Sequence, residues 1–334
     1  MRIGLTYDLK SDHRKTKESP NDAKAEFDRQ VTINEVCEAI ASGGYEVVKI
    51  GHARKLLSKC PKPGVDIVFN MCEGAGNRNR ESEVPVILDF FKIPFVGSDG
   101  LTLGVTLDKA MAKKVFIADG VPTPKFFIAD ERTDLTNHTS MRFPFIVKPR
   151  HEGSSKGISE DSIVSDKKRL KGQVLEVNRI YKQSALVEEF ISGSEFTVLV
   201  IGNDPACALA PVQIGILGKL DLGDLVYTSR RLKGTDVSYI CPPKISKALE
   251  DKLRVLAVKA YQAVDCRDFG RVDFRVDKKG NPYVLEVNPL PSLSTEDVFP
   301  LVAKAEGWTF NGLIVKILEI ALLRVGLKKE GRES

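Results

Sequence analysis

The 334-residue chain has only six cysteines, four histidines and one tryptophan, and the arrangements these scarce residues fail to make set the first limits. Cys37, Cys60, Cys72, Cys207, Cys241 and Cys266 form no CxxC pair, and no HxxxH or CxxH spacing occurs, so a zinc site is not expected. They read as reduced thiols, most of them buried, in a cytoplasmic protein. Long apolar runs are missing too. The most apolar stretch, residues 312–325, is broken by Lys316, Glu319 and Arg324, whereas a membrane span needs roughly 20 apolar residues. Its Leu313, Ile314, Ile317, Leu318, Ala321 and Leu322 recur at helical spacing, which predicts an amphipathic helix lying on a core. The opening MRIGLTYDL turns polar by residue 8, too early for a secretion signal.

A strong charge bias is also absent. Fifty Lys and Arg against 45 Asp and Glu leave a net charge of +5, short of a nucleic-acid footprint. Lys10, Arg14, Lys15 and Lys17 alternate with Asp12 and Glu18 and have no aromatic partners for base stacking. With 42% hydrophobic and 28% charged residues, the composition is that of a globular chain of about two packed units at roughly 150 residues each.

Over the first hundred residues, short β-branched runs alternate with helical patterns: Arg2 to Tyr7, a helix from Phe27 to Ser42, Tyr45 to Ile50, Val65 to Asn70, a helix from Glu83 to Phe91, then Pro94 to Val96. This alternation predicts an α/β unit with a parallel sheet. The polar stretch between the first strand and its helix is long for a compact domain, and such connections are usually functional or disordered. One helix is predicted from Leu107 to Asp119. Strands then become frequent, and the remainder reads as α+β, with helices at Ser246 to Val264, Glu296 to Glu306 and Phe310 to Arg324.

The segment GRVDFRVDKKGNPYVLEVNPLPS carries the most chemistry. Side chains two apart on a strand share a face. A hairpin symmetric about Lys279 and Gly280 sets Asp273 opposite Glu286 and Arg271 opposite Asn288, with Val272, Phe274, Leu285 and Val287 on the other face. Like charges directly opposed destabilise a strand pair, and a hard dication such as Mg²⁺ would relieve that repulsion through carboxylate and carbonyl oxygens. The bland alternative is a solvated face neutralised by Arg271.

Two further segments are weaker. In FPFIVKPRHEGSSKGIS a strand lysine, Lys148, precedes small residues Gly153, Ser154, Ser155 and Gly157, whose backbone N–H groups suit phosphate oxygens; ordinary turns use the same residues. Lys109, on a helix, is a second phosphate candidate or simply a solvated lysine. In ALVEEFISGSEFTV, Glu188 and Glu189 follow an apolar strand positioned to read an adenine edge and Glu195 to accept from ribose hydroxyls, or they are exposed acids beside a turn.

In this order these segments, with IPFVGSDGLTLGVTLDKAMAKK, YICPP and the final helix, resemble the ATP-grasp superfamily, most closely the D-alanine–D-alanine ligases and their relatives. The resemblance implies an amino-terminal parallel-sheet domain (1–104), a central ATP-grasp lobe (105–190) and a carboxy-terminal lobe with a Mg-binding hairpin (191–334). It implies ATP between two β-rich lobes: Lys109 and Lys148 on its phosphates, Glu188, Glu189, Phe190 and Ile191 as the adenine hinge, Glu195 on the ribose, and Ser154 and Ser155 in a lid. Asp273, Glu286 and Asn288 match the ligands of two Mg²⁺ ions, for which Mn²⁺ can substitute, and Arg271 the cation on the transferring phosphoryl group. The implied reaction is a carboxylate attacking the γ-phosphate to give an acylphosphate, from which an amine displaces phosphate. The substrates would be an amino acid or small peptide and an amine, with no nucleic acid or membrane partner; relatives are commonly dimers, which leaves a homodimer open.

The departures from the family lie on the substrate side. The GGxSxE stretch whose glutamate holds the first ammonium is replaced by TYDLKSD and the long loop, where Glu26 or Asp28 takes its place; Glu26 is carried as the candidate catalytic residue with Arg271 and Ser154. The tyrosine-lysine-tyrosine loop becomes VYTSRRLKG, where Arg230, Arg231 or Lys233 can reach phosphates and no tyrosine matches the closing position. Asp297 stands where a serine would hold the second substrate's carboxylate, which suits a cationic or neutral group instead. Arg78 and Arg80 replace a His-Gly stretch, either solvated or facing an acidic substrate. The competing reading is an ATP-binding scaffold without catalysis.

Overall fold

The computed structural model describes residues 1–13, 19–135, 141–228, 231 and 236–327, and three sheets organise them. The first is wholly parallel, built from β1 (Arg2–Tyr7), β2 (Glu46–Lys49), β3 (Ile67–Met71) and β4 (Phe95–Val96) in the order β2-β1-β3-β4. Helices α1 (Gln30–Ser42), α2 (Ala53–Leu57) and α3 (Glu83–Phe90) connect its strands. α1 begins at Gln30 and not at Phe27 because the backbone of Asp28 bridges residues 8–10, donating to the Asp8 carbonyl and accepting from the Lys10 N–H. It stops at Gly43-Gly44, where Gly44 takes a left-handed φ of 81°.

The helix expected over 107–119 is two helices, α4 (Gly100–Leu107) and α5 (Lys109–Ala118). Asp108 separates them in an extended conformation. Its carboxylate caps α5 by accepting from Met111 N–H and is gripped by both Nε and Nη2 of Arg150 at 2.6 Å. The kink places Lys109 at the first turn of α5, facing inward.

The second sheet, antiparallel, has the order β5-β8-β6-β7, from β5 (Phe126–Ala129), β6 (Phe145–Pro149), β7 (Ile163–Val164) and β8 (Ala185–Glu189), with α6 (Lys167–Tyr181) packed on it through Leu170 and Val174. The third contains β9 (Gly193–Ile201), β10 (Cys207–Ala208), β11 (Val212–Ile216), β12 (Val237–Ile240), β13 (Phe269–Asp277) and β14 (Pro282–Asn288). Its order is β12-β11-β9-β13-β14, with β10 on the edge of β9. α7 (Lys247–Ala263) covers its apolar face over Val272, Phe274, Val284 and Val287.

The last helices, α8 (Phe299–Ala305) and α9 (Phe310–Arg324), close the molecule. The α9 residues named above are all fully buried, and they share one core with Ile3, Leu5 and Phe69 of the amino-terminal sheet and Ile33 of α1. Arg324 ends α9 by pairing with buried Asp268 and donating to the Phe95 carbonyl. Among the described residues no helix is long and apolar enough to cross a membrane. All six cysteines are free, but the expectation that most are buried fails: only Cys72 and Cys266 are, and Cys207 is exposed on the edge strand β10.

Candidate active site

β13 and β14 pair Arg271 with Asn288 and Asp273 with Glu286, the register read from the sequence. Toward the turn the register slips by one, because Leu285 is an extra residue opposite the step from Asp273 to Phe274. Leu285 was expected on the outer apolar face. The bulge turns it into the cavity, and fully buried Val284 takes its place in the core.

The site face of this hairpin closes one side of a cavity of ≈ 940 Å³, within the range that holds a nucleotide-sized ligand. From the second sheet come Lys148, the Ser154-Ser155 loop and residues 188–191; from the third, Glu195, Arg271, Asp273, Glu286 and Asn288. Lys109 enters from α5 and Glu26 from the long amino-terminal loop. Lys233 and Arg230 lie outside the described residues.

The charged groups are tightly arranged. Lys109, only 7% exposed, is no solvated helix lysine: its Nζ donates to the Glu152 carbonyl at 2.6 Å and pairs with Glu286 at 2.9 Å. Burial alone would raise the Glu286 carboxyl, but Lys109 and Lys148 outweigh it and hold it well below the usual range. Glu188 sits between Lys113 and Lys148, with 2.5 Å to each, so its carboxylate is turned to lysines and not to an adenine edge. Burial, with Lys148 nearby, brings Lys113 down to about 8. The Glu189 and Phe190 N–H groups donate to the Lys125 and Pro144 carbonyls. Glu195 is paired with buried Arg275 at 3.1 Å.

On the hairpin, Asp273 accepts from Thr197, from both Nε and Nη2 of Arg271, and from the Asn288 amide, all within 3.0 Å. Burial works against the Arg271 charge, but Asp273 and Asp297 outweigh it, and the guanidinium is held more firmly charged than usual. Asp273, Glu286 and Asn288 present hard oxygen donors that suit a divalent ion. Among the described residues no three His, Cys, Asp or Glu side chains are grouped so as to hold a metal ion by themselves. The third member here is an amide, and both acids already face cations.

The long loop proves to be structural support. Glu26 accepts from Arg80 (2.8 Å), Lys156 (2.7 Å) and the Gly153 N–H (2.6 Å). Asp22 accepts from the Gly157 N–H and the Tyr181 hydroxyl. These bonds pin both ends of the Gly153–Gly157 loop, where Ser154 and Ser155 hold left-handed φ of 47° and 55°, a conformation costing about 1–3 kcal/mol per residue. A Cβ on Gly157 would lie 2.5 Å from Pro149 Cγ, so glycine is required there. Arg80 is therefore a buried partner of Glu26, Arg78 pairs with Asp108 at 3.2 Å, and Arg231 pairs with Glu160 at 2.8 Å. Neither the acidic-substrate role for Arg78 and Arg80 nor the phosphate role for Arg231 matches these contacts.

Tyr227, Tyr239 and Lys113 were not singled out in the sequence, whereas Asp297 was. Tyr227 and Tyr239 face the cavity, their hydroxyls 2.5 Å apart, although no tyrosine was expected to close it; one lies in the VYTSRRLKG loop and the other on β12, so spacing gave no signal. Burial pushes Tyr239 up to about 12. Asp297 stands 3.9 Å from Arg271, its carboxyl raised by burial. Lys113 lies four residues from Lys109, one helical turn on, a signal available in DKAMAK.

A parallel-sheet unit followed by two β-rich lobes that enclose one polar cavity is the layout of the ATP-grasp fold. A structure of D-alanine–D-alanine ligase from Bacillus anthracis aligns with a TM-score of 0.76 at 26% identity, over 99% of this chain and 100% of that one. A structure of that enzyme complexed with ATP aligns at 0.75 and 24%, with the same coverage. The family model for the D-ala D-ala ligase C-terminus matches residues 115–319. The D-alanine–D-alanine ligase of Carboxydothermus hydrogenoformans is 34% identical over 318 residues, 92% of this chain and 96% of that protein. The protein y4sG of Sinorhizobium fredii, described as uncharacterized, is 37% identical over 255 residues, 76% of this chain and 74% of its own length. The chain belongs to the D-alanine–D-alanine ligase family.

Proposed function

We propose that this chain is an ATP-dependent ligase that joins a carboxylate to an amine through an acylphosphate, releasing ADP and phosphate. The observation that carries this reading is the convergence of Arg271, Asp273, Glu286 and Asn288 on one hairpin face with Lys109 and Lys148 across the same cavity. Phosphoryl transfer needs little covalent help from the protein and relies on positioning and charge neutralisation. That is what these groups supply.

In this reading Lys109 and Lys148 hold phosphate oxygens, and Glu188 keeps Lys148 in place with Lys113 as its second anchor. Residues 189–191 border the base, and Glu195, steadied by Arg275, faces the ribose. The Ser154-Ser155 loop covers the phosphates, kept in shape by Glu26 and Asp22. Arg271, oriented by Asp273, stabilises charge on the transferring group and then on the tetrahedral oxyanion formed when the amine attacks. Asp273, Glu286 and Asn288 would hold Mg²⁺, which when bound neutralises phosphate charge. Fold likeness to a ligase complexed with ATP and the names of the relatives support the reading; Asp297 in the second-substrate position favours an acceptor other than free D-alanine.

The test is phosphate release with ATP, Mg²⁺ and a panel of D- and L-amino acids and small amines. Substrate-dependent release is expected, and Glu286→Gln should abolish it. Full activity in that variant would refute the metal role, and nucleotide binding without release for every substrate would favour a scaffold.

A further inference from the structure

Asp108, buried at the junction of α4 and α5, does not line the cavity, although its neighbours Leu107 and Lys109 do. As the cap of α5 it needs only to accept from the Met111 N–H, a task that Asn or Ser performs as well. Its carboxylate is held far more firmly than that. Arg150 grips it with Nε and Nη2, both at 2.6 Å, Arg78 reaches it at 3.2 Å and His151 stands 3.3 Å away. Burial would raise the carboxyl, but His151 and Arg150 outweigh it and hold it well below the usual range. A buried ion pair brings little net stability against the cost of desolvating it, so capping and stability leave the charged grip unexplained.

What the grip fixes is Lys109. Arg150 acts on that lysine twice: its side chain holds the carboxylate of the preceding residue, and its carbonyl accepts from the Lys109 N–H at 3.2 Å. Two residues on, the Glu152 carbonyl accepts from the Lys109 Nζ at 2.6 Å. Residues 150–152 directly follow β6, the strand that carries Lys148. Both Lys109 and Lys148 are therefore referenced to one short stretch of chain, Lys148 within it and Lys109 tied to it at three points. The extended conformation of Asp108, φ −83° and ψ 90°, turns the chain between the helices so that Lys109 enters the cavity and meets Glu286 at 2.9 Å. Helix propensity alone would carry LGVTLDKAMAKK through as one rod, with no such turn to aim Lys109.

We propose that Asp108, held by Arg150, is a positioning residue for ATP binding, acting through Lys109 to set the placement of that lysine relative to Lys148 before the nucleotide arrives. This rests on the assignment of Lys109 to phosphate oxygens in the proposed function. A misplacement of about 1 Å caused by a change away from the chemistry can cost about 10²-fold, so a residue that touches no ligand can still govern its binding.

The experiment is a double-mutant cycle on the whole chain, read by titration with a fluorescent ATP analogue in Mg²⁺ and by urea unfolding. Asp108→Asn keeps the cap and removes the charge that Arg150 grips. Nucleotide affinity should fall about tenfold, within the range of coupling between contacting groups, with the KM for ATP rising in step. Lys109→Met should also weaken binding, and adding Asp108→Asn to it should cost no more than about twofold further. A merely structural Asp108 would lower unfolding stability and leave nucleotide affinity unchanged, or would cost affinity the same factor with and without Lys109; either result overturns the proposal. Should Asp108→Asn not fold, Arg150→Lys, which keeps the charge and loses the two-pronged grip, runs the same cycle with the same deciding results. The titration needs no turnover. The expected coupling without phosphate release for any substrate upholds the positioning role and overturns the ligase reading, and phosphate release with unchanged nucleotide affinity in Asp108→Asn does the reverse. An unaltered chain that binds no nucleotide overturns both.

Discussion

Where the cavity is bordered by β6, β8 and β14, Lys113 and Lys148 share Glu188, and Lys109 holds Glu286. Where it is bordered by the end of β3 and the Arg80–Ser82 turn, Glu73, Glu81 and Asp28 line the same space, and burial raises their carboxyls despite the pull of Arg80 on Glu73 and Glu81 and of Lys10 on Asp28. The first region supplies its own opposite charges, so its geometry is set before anything binds, as electrostatic preorganisation requires. In the second, the nearby Arg80, Lys156 and Lys109 are paired with Glu26, Glu152 and Glu286. Under the proposed function, the first region is the nucleotide end and the second borders the substrate end.

Substitutions can break either half of that contrast. The largest effect is expected at Arg271: Arg271→Ala removes both guanidinium bonds to Asp273 and the charge on the reacting group, and phosphate release should fall about 10²–10³-fold or more, while nucleotide binding measured by fluorescent titration persists. Next, Glu26→Ala leaves Arg80 and Lys156 short of a buried partner; urea unfolding should show a loss of about 3–5 kcal/mol. Lys113→Met leaves Glu188 with Lys148 alone and draws that lysine away from phosphate. Its KM for ATP should rise about tenfold, equivalent to roughly 1.4 kcal/mol, with little change in kcat.

The smallest effect is in the pH dependence of stability. Because the Asp28 carboxyl is raised from 3.8 to about 7 in the folded protein, its stabilising contribution is complete below pH 3.8 and is lost as the pH rises through about 7. Glu81 and Glu73, also raised, act in the same direction. Glu286 and Glu26, held low by their cations, act oppositely and lose stability as the pH falls below the usual carboxylate range. Melting temperature should therefore decline by a few degrees between about pH 5 and 8, and Glu81→Gln should flatten that decline. An unchanged slope in the variant would show that other groups set it.

The hairpin was legible in the sequence because strand periodicity and one turn fix which side chains oppose each other, and the Asp273–Glu286 pair follows from counting. The bulge at Leu285 was not, since a one-residue slip arises from tertiary packing and not from local pattern. Asp108 shows a similar limit: helix propensity runs straight through LGVTLDKAMAKK, yet Arg150, 42 residues away in the chain, holds the acid that divides the two helices. The long polar loop could be marked as functional or disordered by length alone, but its bonds to Gly153 and Gly157 depend on a fold that brings residues 22–26 beside residues 153–157. Glu73 and Glu81 could not be read at all, because lining a cavity is a property of space.

The burial of α9 against β1, β3 and α1 has a consequence for how the molecule is made. Ile3, Leu5 and Phe69 emerge from the ribosome some 240 residues or more before the helix that covers them, and chains generally fold during synthesis, with amino-terminal units first. Here that unit can form its parallel strands early yet stays uncapped on one face until the final turns of the chain arrive. The sheet at the start is the last part to become watertight.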